Sequence, residues 1–410
     1  MKIGEFSEYF NLPIETIRYY INKGLIIPHV KNNRYYFNEK DIADMKLIIK
    51  LKSLKFSLND IHKIISLKRL SNLDNPDELK DYISIMNDQK NILGKDMAEI
   101  KKSLELINEE IYSVSCKKNT HPHRISGVSL NFLNYFACPM CMGSLSLENC
   151  NIEDQEITSG VLKCTCGYHA LIQDGIVIGQ TVDLNRYDGA DTERNCYRMM
   201  SPELISMVQK AYIDISEHLE SIDTDNKLIL EDFINNYCFC YNNFSDLNPN
   251  ALYIISDQYL EVVKLYKSLI DKLELPHKIL YISASSHLLP IKEKCVDVYI
   301  DFDSANEYAI FNNGYASDAV KKYFGDKSYI IGAFFSFIKN SASITELHRQ
   351  YPHTWEYCFD WKYFQQHFST FSKRIVYKNE IGVVTNSGYG ESFSYHVNED
   401  PLYLNTYVCK

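Results

Sequence analysis

The sequence predicts a multidomain chain of the α and α/β classes, with a helical N-terminal part and a doubly wound α/β sheet in its C-terminal part. Three observations support this fold class. Amphipathic helical patterns and a seven-residue apolar repeat fill the first quarter of the chain. Two pairs of closely spaced cysteines follow, and after them short apolar runs alternate with helical patterns. At 410 residues the chain exceeds what one hydrophobic core usually supports.

The first 23 residues contain two short helices, each with its apolar residues on one face. Pro13 suits the first position of the second helix, and Gly24 suits the residue just past its end. The second helix then exposes Thr16, Arg18 and Tyr19, as expected of a recognition helix in the major groove of DNA. This order of elements predicts a helix-turn-helix.

A basic hairpin is expected after the second helix, and it would form a wing. Lys31, Arg34 and Tyr36 are the wing residues expected to contact DNA. Residues 1–70 contain 13 Lys and Arg against seven Asp and Glu, a net charge of +6, whereas the remaining residues carry a net −16. Positive charge at the front of the chain favours binding to phosphate, although a solvated lysine-rich surface would give the same sum.

Six short motifs follow one another in this segment: Ile3-Gly4-Glu5, Thr16-Ile17-Arg18-Tyr19-Tyr20, Gly24-Leu25, Arg34-Tyr35-Tyr36, Asp41-Ile42, and the stretch from Leu54 to Ile61. Their order resembles the N-terminal domain of the MerR family of bacterial transcription regulators. The resemblance covers the first 70 residues. It implies a winged helix-turn-helix DNA-binding domain over residues 1–72.

A second pattern runs from Pro76 to Tyr112, where apolar residues recur at alternating steps of four and three between Leu79 and Ile111. Nine of the ten positions are apolar, and the tenth is Lys90, which can fix register or partner choice. The pattern predicts a coiled-coil dimerisation helix over residues 76–114. The alternative is one amphipathic helix packed on its own domain. The MerR resemblance implies an antiparallel homodimer, and two wings on a two-fold axis imply a pseudo-palindromic operator in double-stranded DNA.

Four cysteines have the spacing of metal ligands. Cys138 and Cys141 form a C-x-x-C pair, and Cys164 and Cys166 form a shorter C-x-C pair. The four predict a structural Zn²⁺ ribbon over residues 130–180, with His169 as an alternative fourth ligand to Cys166. Buried apolar thiols without metal are the other interpretation.

Membrane and export signals are not found in the sequence. No stretch approaches the roughly 18 unbroken apolar residues of a membrane helix. The N-terminus lacks a basic segment followed by an apolar one. We therefore expect a cytoplasmic protein without membrane contact.

Residues Phe136 to Ile178 and His287 to Asp301 carry a second resemblance. They are similar to the zinc ribbon and to the fourth-strand segment of some bacterial S-adenosylmethionine-dependent methyltransferases. The resemblance implies a class I, Rossmann-like methyltransferase fold over residues 190–410. Five short apolar runs fit its strands: Leu228 to Leu230, Leu252 to Ile255, Ile279 to Ile282, Val296 to Ile300, and Tyr329 to Ala333.

The glycine-rich turn that holds the cofactor of such enzymes is absent. No glycine occurs from Ala190 through Asn313, and aromatic residues fill the turn after the first strand. We therefore expect a degenerate domain that is not an enzyme and for which S-adenosylmethionine is an unlikely cofactor. Asp257 stands roughly where an acidic residue would hold ribose hydroxyls, although a helix cap is the plainer explanation.

In MerR-like regulators the segment beyond the dimer helix binds the signal. The resemblance therefore implies that residues 190–410 sense an unknown small-molecule effector and control the distortion of promoter DNA, with RNA polymerase as a further candidate partner. Aromatic faces beside carboxylates could bind an apolar or cationic compound. The candidate ligand contacts are Tyr237, Asp257, Trp355 and Trp361.

Two other functions stay open at this point. An active methyltransferase with a DNA-binding module would have to hold its cofactor with Asp257, Glu231 and Asp301. A zinc-responsive or thiol-redox regulator would use its four clustered cysteines as the sensor. Binding of S-adenosylmethionine distinguishes the first of these from a regulator, and a reversible response to zinc or peroxide distinguishes the second.

Overall fold

A computed structural model describes residues 1–70, 75–116, 126–182, 189–388 and 393–410 of the chain. The chain divides into two compact units, Met1–His121 and Pro122–Lys410, which are described here separately. In the described residues, no helix combines the length and the apolar character needed to cross a membrane.

Unit 1 contains the predicted helix-turn-helix and hairpin. Its core includes Phe6, Ile17 and Met45, which are fully buried. α2 begins one residue after Pro13, which therefore caps the helix from outside and is not its first residue. The elements before the long helix are α1 (Ile3–Phe10), α2 (Ile14–Asn22), β1 (His29–Lys31), β2 (Arg34–Tyr36), α3 (Glu39–Ser53) and α4 (Leu58–Leu70).

The first third of the long helix α5 (Pro76–Cys116) packs against the core of unit 1 through Tyr82, Ile85 and Met86, and Met86 is one of the predicted heptad positions. The C-terminal half of the predicted heptad face is exposed in the single chain. Exposed heptad positions are Met97, Ile100, Leu104, Ile107 and Ile111, each 55 to 70% accessible.

Unit 2 is built on a 12-stranded sheet in which all five predicted C-terminal strands are present. These strands are β8 (Leu228–Asp232), β9 (Leu252–Asp257), β10 (Lys278–Ser283), β11 (Val296–Phe302) and β12 (Phe324–Phe337). They are parallel, in the order β10-β9-β8-β11-β12. Because the strand order reverses between β8 and β11, the sheet is doubly wound, as predicted.

Two further strands, β13 (Ile375–Val384) and β14 (Leu402–Cys409), complete this part of the sheet. β14 lies between β12 and β13 and is antiparallel to both. Counted in chain order from β8, the strand order is 3-2-1-4-5-7-6 with an antiparallel seventh strand. This is the order of the class I methyltransferase sheet, and it confirms the predicted fold class.

The strands of the cysteine-containing segment belong to the same sheet. They are β3 (Val128–Ser129), β4 (Ser146–Glu153), β5 (Glu156–Lys163), β6 (His169–Gln173) and β7 (Ile176–Ile178). β7 pairs in parallel with β10 and antiparallel with β6, so it links the two groups of strands. Residues 130–180, expected from the sequence as a separate small ribbon, are thus continuous with the sheet of residues 190–410.

The helices of unit 2 connect and flank the strands. Of these, α7 packs on β13 and β14 through a buried face that includes Leu204, Ala211 and Ile215. The helices are α6 (Asn195–Arg198), α7 (Pro202–Glu220), α8 (Phe239–Asn243), α9 (Leu260–Asp271), α10 (Ser304–Phe311), α11 (Ala316–Val320), α12 (Ala342–Gln350) and α13 (Trp361–His367).

Candidate functional site

The recognition helix α2 buries one face and exposes the predicted DNA-contacting residues. Ile17 is fully buried, whereas Tyr19 is 44% accessible and Arg18 is exposed. Thr16 is half-buried at the same surface. The Lys23 ammonium lies 5.9 Å from the centre of the Tyr19 ring. A surface with two cations and one aromatic ring is suited to contacting base edges and phosphates.

The wing is a two-residue hairpin. Asn32 and Asn33 both adopt left-handed backbone conformations, with φ of +51° and +56°, which match the twist of a tight hairpin. This turn places Lys31 directly opposite Arg34. Like charges at opposed positions repel each other, so an anion at the wing would relieve an unfavourable pair. Tyr36, the third predicted wing residue, is half-buried.

Arg69, near the end of α4, ties this helix to the segment between the recognition helix and the wing. Its guanidinium donates hydrogen bonds to the carbonyl oxygens of Gly24 and Leu25, at 3.0 and 2.7 Å. It also forms an ion pair with Asp44, at 2.7 Å. The orientation of the recognition helix is therefore fixed by contacts within unit 1.

The four predicted metal ligands meet at one point. The sulfur atoms of Cys138, Cys141, Cys164 and Cys166 all lie within 4.8 Å of one another. The Cys138 to Cys166 and Cys141 to Cys164 sulfur distances are 3.5 and 3.4 Å. Four thiolates around a tetrahedral zinc ion, with bonds of about 2.3 Å, stand about 3.8 Å apart. The donor set therefore fits Zn²⁺, while the alternative ligand His169 does not belong to the group and is exposed at the start of β6.

Backbone geometry explains how the short C-x-C pair can serve as ligands. Gly167 has φ +97° and donates to the Cys164 carbonyl at 3.0 Å, which closes a tight turn behind the pair. A side chain at Gly143 would stand 3.2 Å from the Cys141 sulfur and crowd the site. A hydrogen bond from the Cys166 backbone lowers the pKa of the Cys164 thiol to about 7, whereas burial raises the pKa of the Cys138 thiol. The fit to Zn²⁺ therefore rests on the geometry of the four sulfur atoms.

The loop after β8 occupies the place of the glycine-rich cofactor turn. Phe233 stands in the left-handed conformation usual for glycine, with φ +61°. Tyr237 is only 2% accessible and packs edge-on against Tyr197 and Phe302. The Glu231 carboxylate is buried and accepts hydrogen bonds from the backbone of the loop itself, including the Cys240 amide at 2.9 Å. Bulky side chains and an internal carboxylate thus replace a phosphate- or carboxylate-binding turn.

Asp257, at the end of β9, is held by the protein and not presented to solvent. It is 2% accessible and accepts a hydrogen bond from the Tyr259 amide at 2.8 Å. Burial is the main cause that raises the pKa of this carboxyl to about 7, and the neighbouring carboxylate of Asp232 adds to it. A carboxyl in this state is poorly suited to holding two ribose hydroxyls.

The segment that precedes α6 closes over both loops. The Asp191 amide donates to the Asn235 side chain at 2.9 Å, and that side chain donates to the Gly189 carbonyl at 3.1 Å. The Gly189 amide donates to the Tyr259 hydroxyl, also at 3.1 Å. Residues 189–191 therefore bridge the loops that follow β8 and β9, across which a cofactor would lie.

The other two predicted ligand residues are part of aromatic packing. Trp355 stands edge-on to Tyr315, with ring centres 4.9 Å apart. Trp361 lies 5.9 Å from Phe334. Both tryptophans are half-buried. The structure does not bring the four candidates Tyr237, Asp257, Trp355 and Trp361 together around one cavity.

A cavity of about 320 Å³ does open beside them, at the point where the strand order reverses between β8 and β11. We call it the switch-point cavity. Its polar lining comes from the segment before α6, the loop after β8, and the start of α10: Asp191, Glu193, Asn235, Asn236, Asp303, Asn306 and Glu307. The sequence did not predict these residues as a site, because they come together only through the fold of the segment before α6. Asp303 and Glu307, which follow β11 closely in the sequence, could have indicated an acidic site.

Comparisons with known proteins identify the first unit. Residues 1–68 match the family described as MerR HTH family regulatory protein. The chain is 33% identical over 73 residues to the HTH-type transcriptional regulator ZntR homolog of Haemophilus influenzae, covering 17% of this chain and 54% of that protein. It is 35% identical over 68 residues to the HTH-type transcriptional regulator HmrR of Rhizobium leguminosarum bv. viciae, covering 16% and 53%. The chain spans about half the length of the curated relatives it matches.

The chain is also similar to solved structures of methyltransferases. One is geranyl diphosphate C-methyltransferase from Streptomyces coelicolor A3(2), with 5% identity and a TM-score of 0.38, covering 50% of this chain and 82% of that one. The strand order given above defines the fold independently of this similarity.

Proposed function

We propose that this chain, whose residues 1–68 form a MerR HTH domain, is a dimeric DNA-binding transcription regulator. In this proposal the methyltransferase-like domain senses a small molecule and thereby controls the distortion of promoter DNA. The observation that carries the proposal is the exposure of Arg18 and Tyr19 on α2 and of Lys31 and Arg34 on the wing. RNA polymerase would be the enzyme that reads the distorted promoter.

The paired cations on the wing support phosphate contact. Lys31 and Arg34 face each other across the hairpin, and no ion pair to either is found among the described residues. Phosphate oxygens would supply the missing counter-charge. Arg18 on the recognition helix would then contact a base edge, while the wing positions the domain on the backbone.

Titration of the DNA upstream of the gene tests this assignment by fluorescence anisotropy. We expect Arg18→Ala to weaken specific binding by about 1 to 3 kcal/mol. Arg34→Ala should weaken binding to all sequences and reduce the salt dependence by about one counterion. Arg349→Ala, an exposed arginine of unit 2, is the matched control. Unchanged binding by both Arg18→Ala and Arg34→Ala would remove the basis of the proposal.

The heptad face of α5 supports a homodimer. Five heptad positions from Met97 to Ile111 expose apolar side chains in the single chain, although such a stripe normally packs against another helix. A second copy of the same helix offers the complementary surface. With two recognition helices on a two-fold axis, the operator would be pseudo-palindromic.

A structural role for zinc is the simplest assignment for the four cysteines. Cys138 and Cys164 are buried at the base of the strands β5 and β6, where a bound Zn²⁺ would hold the two knuckles together. A metal in this place stabilises the strands that lead through β7 into the main sheet. The same four cysteines could instead act as a zinc sensor, and the response of DNA binding to zinc tests that role.

The crowded loops after β8 and β9 support a domain without catalytic activity. Tyr237 and residues 189–191 occupy the region in which a methyl donor would lie. The alternative with an active methyltransferase needs Asp257, Glu231 and Asp301 to hold the cofactor. All three carboxylates are buried and already accept hydrogen bonds from the protein. A small molecule sensed by this domain would therefore bind in the space that these segments leave open.

A further inference from the structure

We propose that the switch-point cavity binds an organic ammonium ion with an aromatic or aliphatic body. The inference rests on the proposed function, in which unit 2 senses a small molecule, and it names the site and the chemical class of that molecule. The cavity lies outside the carboxyl ends of β8 and β11. In doubly wound sheets, ligands bind at this reversal point because the two adjacent loops diverge there.

The charge of the lining selects a cation. Four carboxylates, from Asp191, Glu193, Asp303 and Glu307, line the cavity. Among the described residues no Lys, Arg or His lines it. Phosphorylated or carboxylated ligands would meet only negative charge, whereas an ammonium group would find several acceptors at hydrogen-bonding distance.

Asp303 is the decisive residue because it is buried without a counter-charge. It is 6% accessible and lines the cavity, and the nearby amide of Asn236 is the one side-chain hydrogen bond recorded for its carboxyl. No ion pair to Asp303 is found in the described part of the chain. Burial, and next the neighbouring carboxylate of Asp301, raise the pKa of the Asp303 carboxyl well above its ordinary value, so without a cation this group holds a proton. A bound ammonium ion would stabilise the charged carboxylate and displace that proton.

The basic residue closest to the cavity in sequence is committed elsewhere. The Arg194 guanidinium lies over the rings of Tyr197, Tyr241 and Tyr266, at 4.4, 5.3 and 5.6 Å from their centres. Asp191 uses its two carboxylate oxygens to accept hydrogen bonds from the backbone of α6. Asp191 therefore shapes the wall, while the carboxyl of Asp303 is the one that we propose to contact the ammonium group.

The opposite wall is aromatic. Phe311, Tyr351, Phe393 and Tyr395 line it, and the Phe311 and Tyr351 rings meet edge-to-face with centres 5.7 Å apart. Aromatic faces accept both the apolar body of an amine and, through their π electrons, its charge. A volume of about 320 Å³ suits a small ligand and is at the lower end of ligand cavities.

Isothermal titration calorimetry on the full-length protein tests the inference with three probes of equal shape: phenylbutylamine, phenylbutanol and phenylbutyrate. We expect the amine to bind at least about tenfold more tightly than the alcohol, and the carboxylate to give no binding heat. Asp303→Asn should weaken amine binding at least about tenfold and leave alcohol binding unchanged. Equal affinity for the three probes would overturn the proposal, as would an Asp303→Asn variant that binds the amine like the native protein.

A second variant avoids the buried position. Glu193→Lys places a cation at the exposed rim and should weaken amine binding even if Asp303→Asn unfolds the protein. Asp326→Asn, which removes an exposed carboxylate elsewhere in unit 2, should change nothing. If Glu193→Lys binds the amine as tightly as the native protein, the cavity is not the site.

DNA binding by the same samples separates this inference from the proposed function. A protein that binds promoter DNA in an Arg18-dependent manner but binds no amine would overturn the inference alone. A protein that binds the amine but no DNA would overturn the proposed function and leave the cation site intact.

Discussion

Burial changes what single carboxylates in unit 2 can do. Asp257 stands at the end of β9, where an exposed acid could hold a ribose, but its carboxyl is enclosed and hydrogen-bonded to the chain. Asp303 is enclosed as well, yet it faces a cavity. The same residue type therefore supports the loop in one place and a ligand site in the other, and the difference is what each carboxyl can reach.

Asp257→Asn should change how the stability of unit 2 depends on pH. The folded pKa of about 7 lies above the ordinary 3.8, so the folded state holds the proton more tightly. Stability from this group is complete below about pH 4 and is lost as pH rises through 7. The variant should therefore be more stable than the native protein at pH 8, on the order of 2 kcal/mol, and equal to it near pH 4.

Urea unfolding followed by tryptophan fluorescence measures this effect, because Trp355 and Trp361 are the protein's two tryptophans and both belong to unit 2. Asp326→Asn, at an exposed position, is the control and should follow the native curve. A variant less stable than the native protein at pH 8 would show that the charged Asp257 carboxylate does not destabilise the fold, and hence that burial does not raise its pKa.

Cys141→Ser should abolish zinc binding and destabilise unit 2. Removing one of four thiolates leaves an incomplete tetrahedral set, and the two knuckles lose their link. We expect about one zinc per native chain by mass spectrometry and none in the variant, with unfolding easier by at least about 2 kcal/mol. Cys150→Ser, an exposed cysteine of β4 outside the cluster, should retain the metal.

The response of DNA binding to the metal separates the structural from the sensory role. If zinc removal or peroxide changed DNA binding reversibly while unit 2 stayed folded, the cysteines would be the sensor. Loss of folding together with zinc, in contrast, supports the structural assignment.

At the scale of elements, the helix α5 packs on unit 1 in its first third and leaves its later apolar residues exposed. Tyr82, Ile85 and Met86 face the core of unit 1, and Gln89 donates a hydrogen bond to the Leu54 carbonyl at 3.0 Å. Beyond this region the apolar residues of the helix are exposed. The alternative of a helix packed only on its own domain therefore accounts for its first third and not for the rest.

Substitutions in the exposed half should dissociate the dimer. Ile100→Glu combined with Leu104→Glu places charges in the apolar seam, and we expect the dimer dissociation constant to rise at least about 100-fold. Analytical ultracentrifugation measures this change. Lys102→Glu, on the other side of the same turn, is the control and should leave the dimer intact. A double variant that remains dimeric would place the dimer contact outside this face.

At the scale of the whole molecule, the sheet of unit 2 keeps the strand order of a methyltransferase while its loops have changed. β9 pairs in parallel with β8 and with β10, so the strands that would position a cofactor are all present. Closure comes from residues 189–191, which bind the side chain of Asn235 and the hydroxyl of Tyr259. The loops after β8 and β9 and residues 189–191, and not the fold, thus determine whether a cofactor can bind.

S-adenosylmethionine should therefore not bind. Calorimetry with the cofactor, and with S-adenosylhomocysteine as a second probe, should give no binding heat at concentrations up to about 1 mM. A dissociation constant of about 1 mM corresponds to a binding free energy of about −4 kcal/mol. The physical reason is the burial of Tyr237 and the bridging of the two loops. Micromolar binding, or methyl transfer to any substrate, would instead support the enzymatic alternative.

The elements that sequence patterns predicted well are those whose signal is local. The two helices of the helix-turn-helix, the long helix α5 and the five parallel strands each follow from apolar patterns over a short window. Two other elements, β13 and β14, were not predicted. β14 pairs with β13 and with β12, and no local pattern in the sequence predicts these pairings. The pairing of β7 with β10 connects residues about 100 positions apart, and the sequence did not predict it either.

The sequence by itself determined the MerR-type HTH domain, the four-cysteine set and the loss of the glycine-rich turn, because each depends on residue types at close spacing. Only the tertiary structure decided that the turn is sealed by residues 189–191, that Asp257 is enclosed, and that an acidic cavity opens between β8 and β11. These features join segments far apart in the chain. Their chemistry depends on burial, which follows from the packing of the whole sheet.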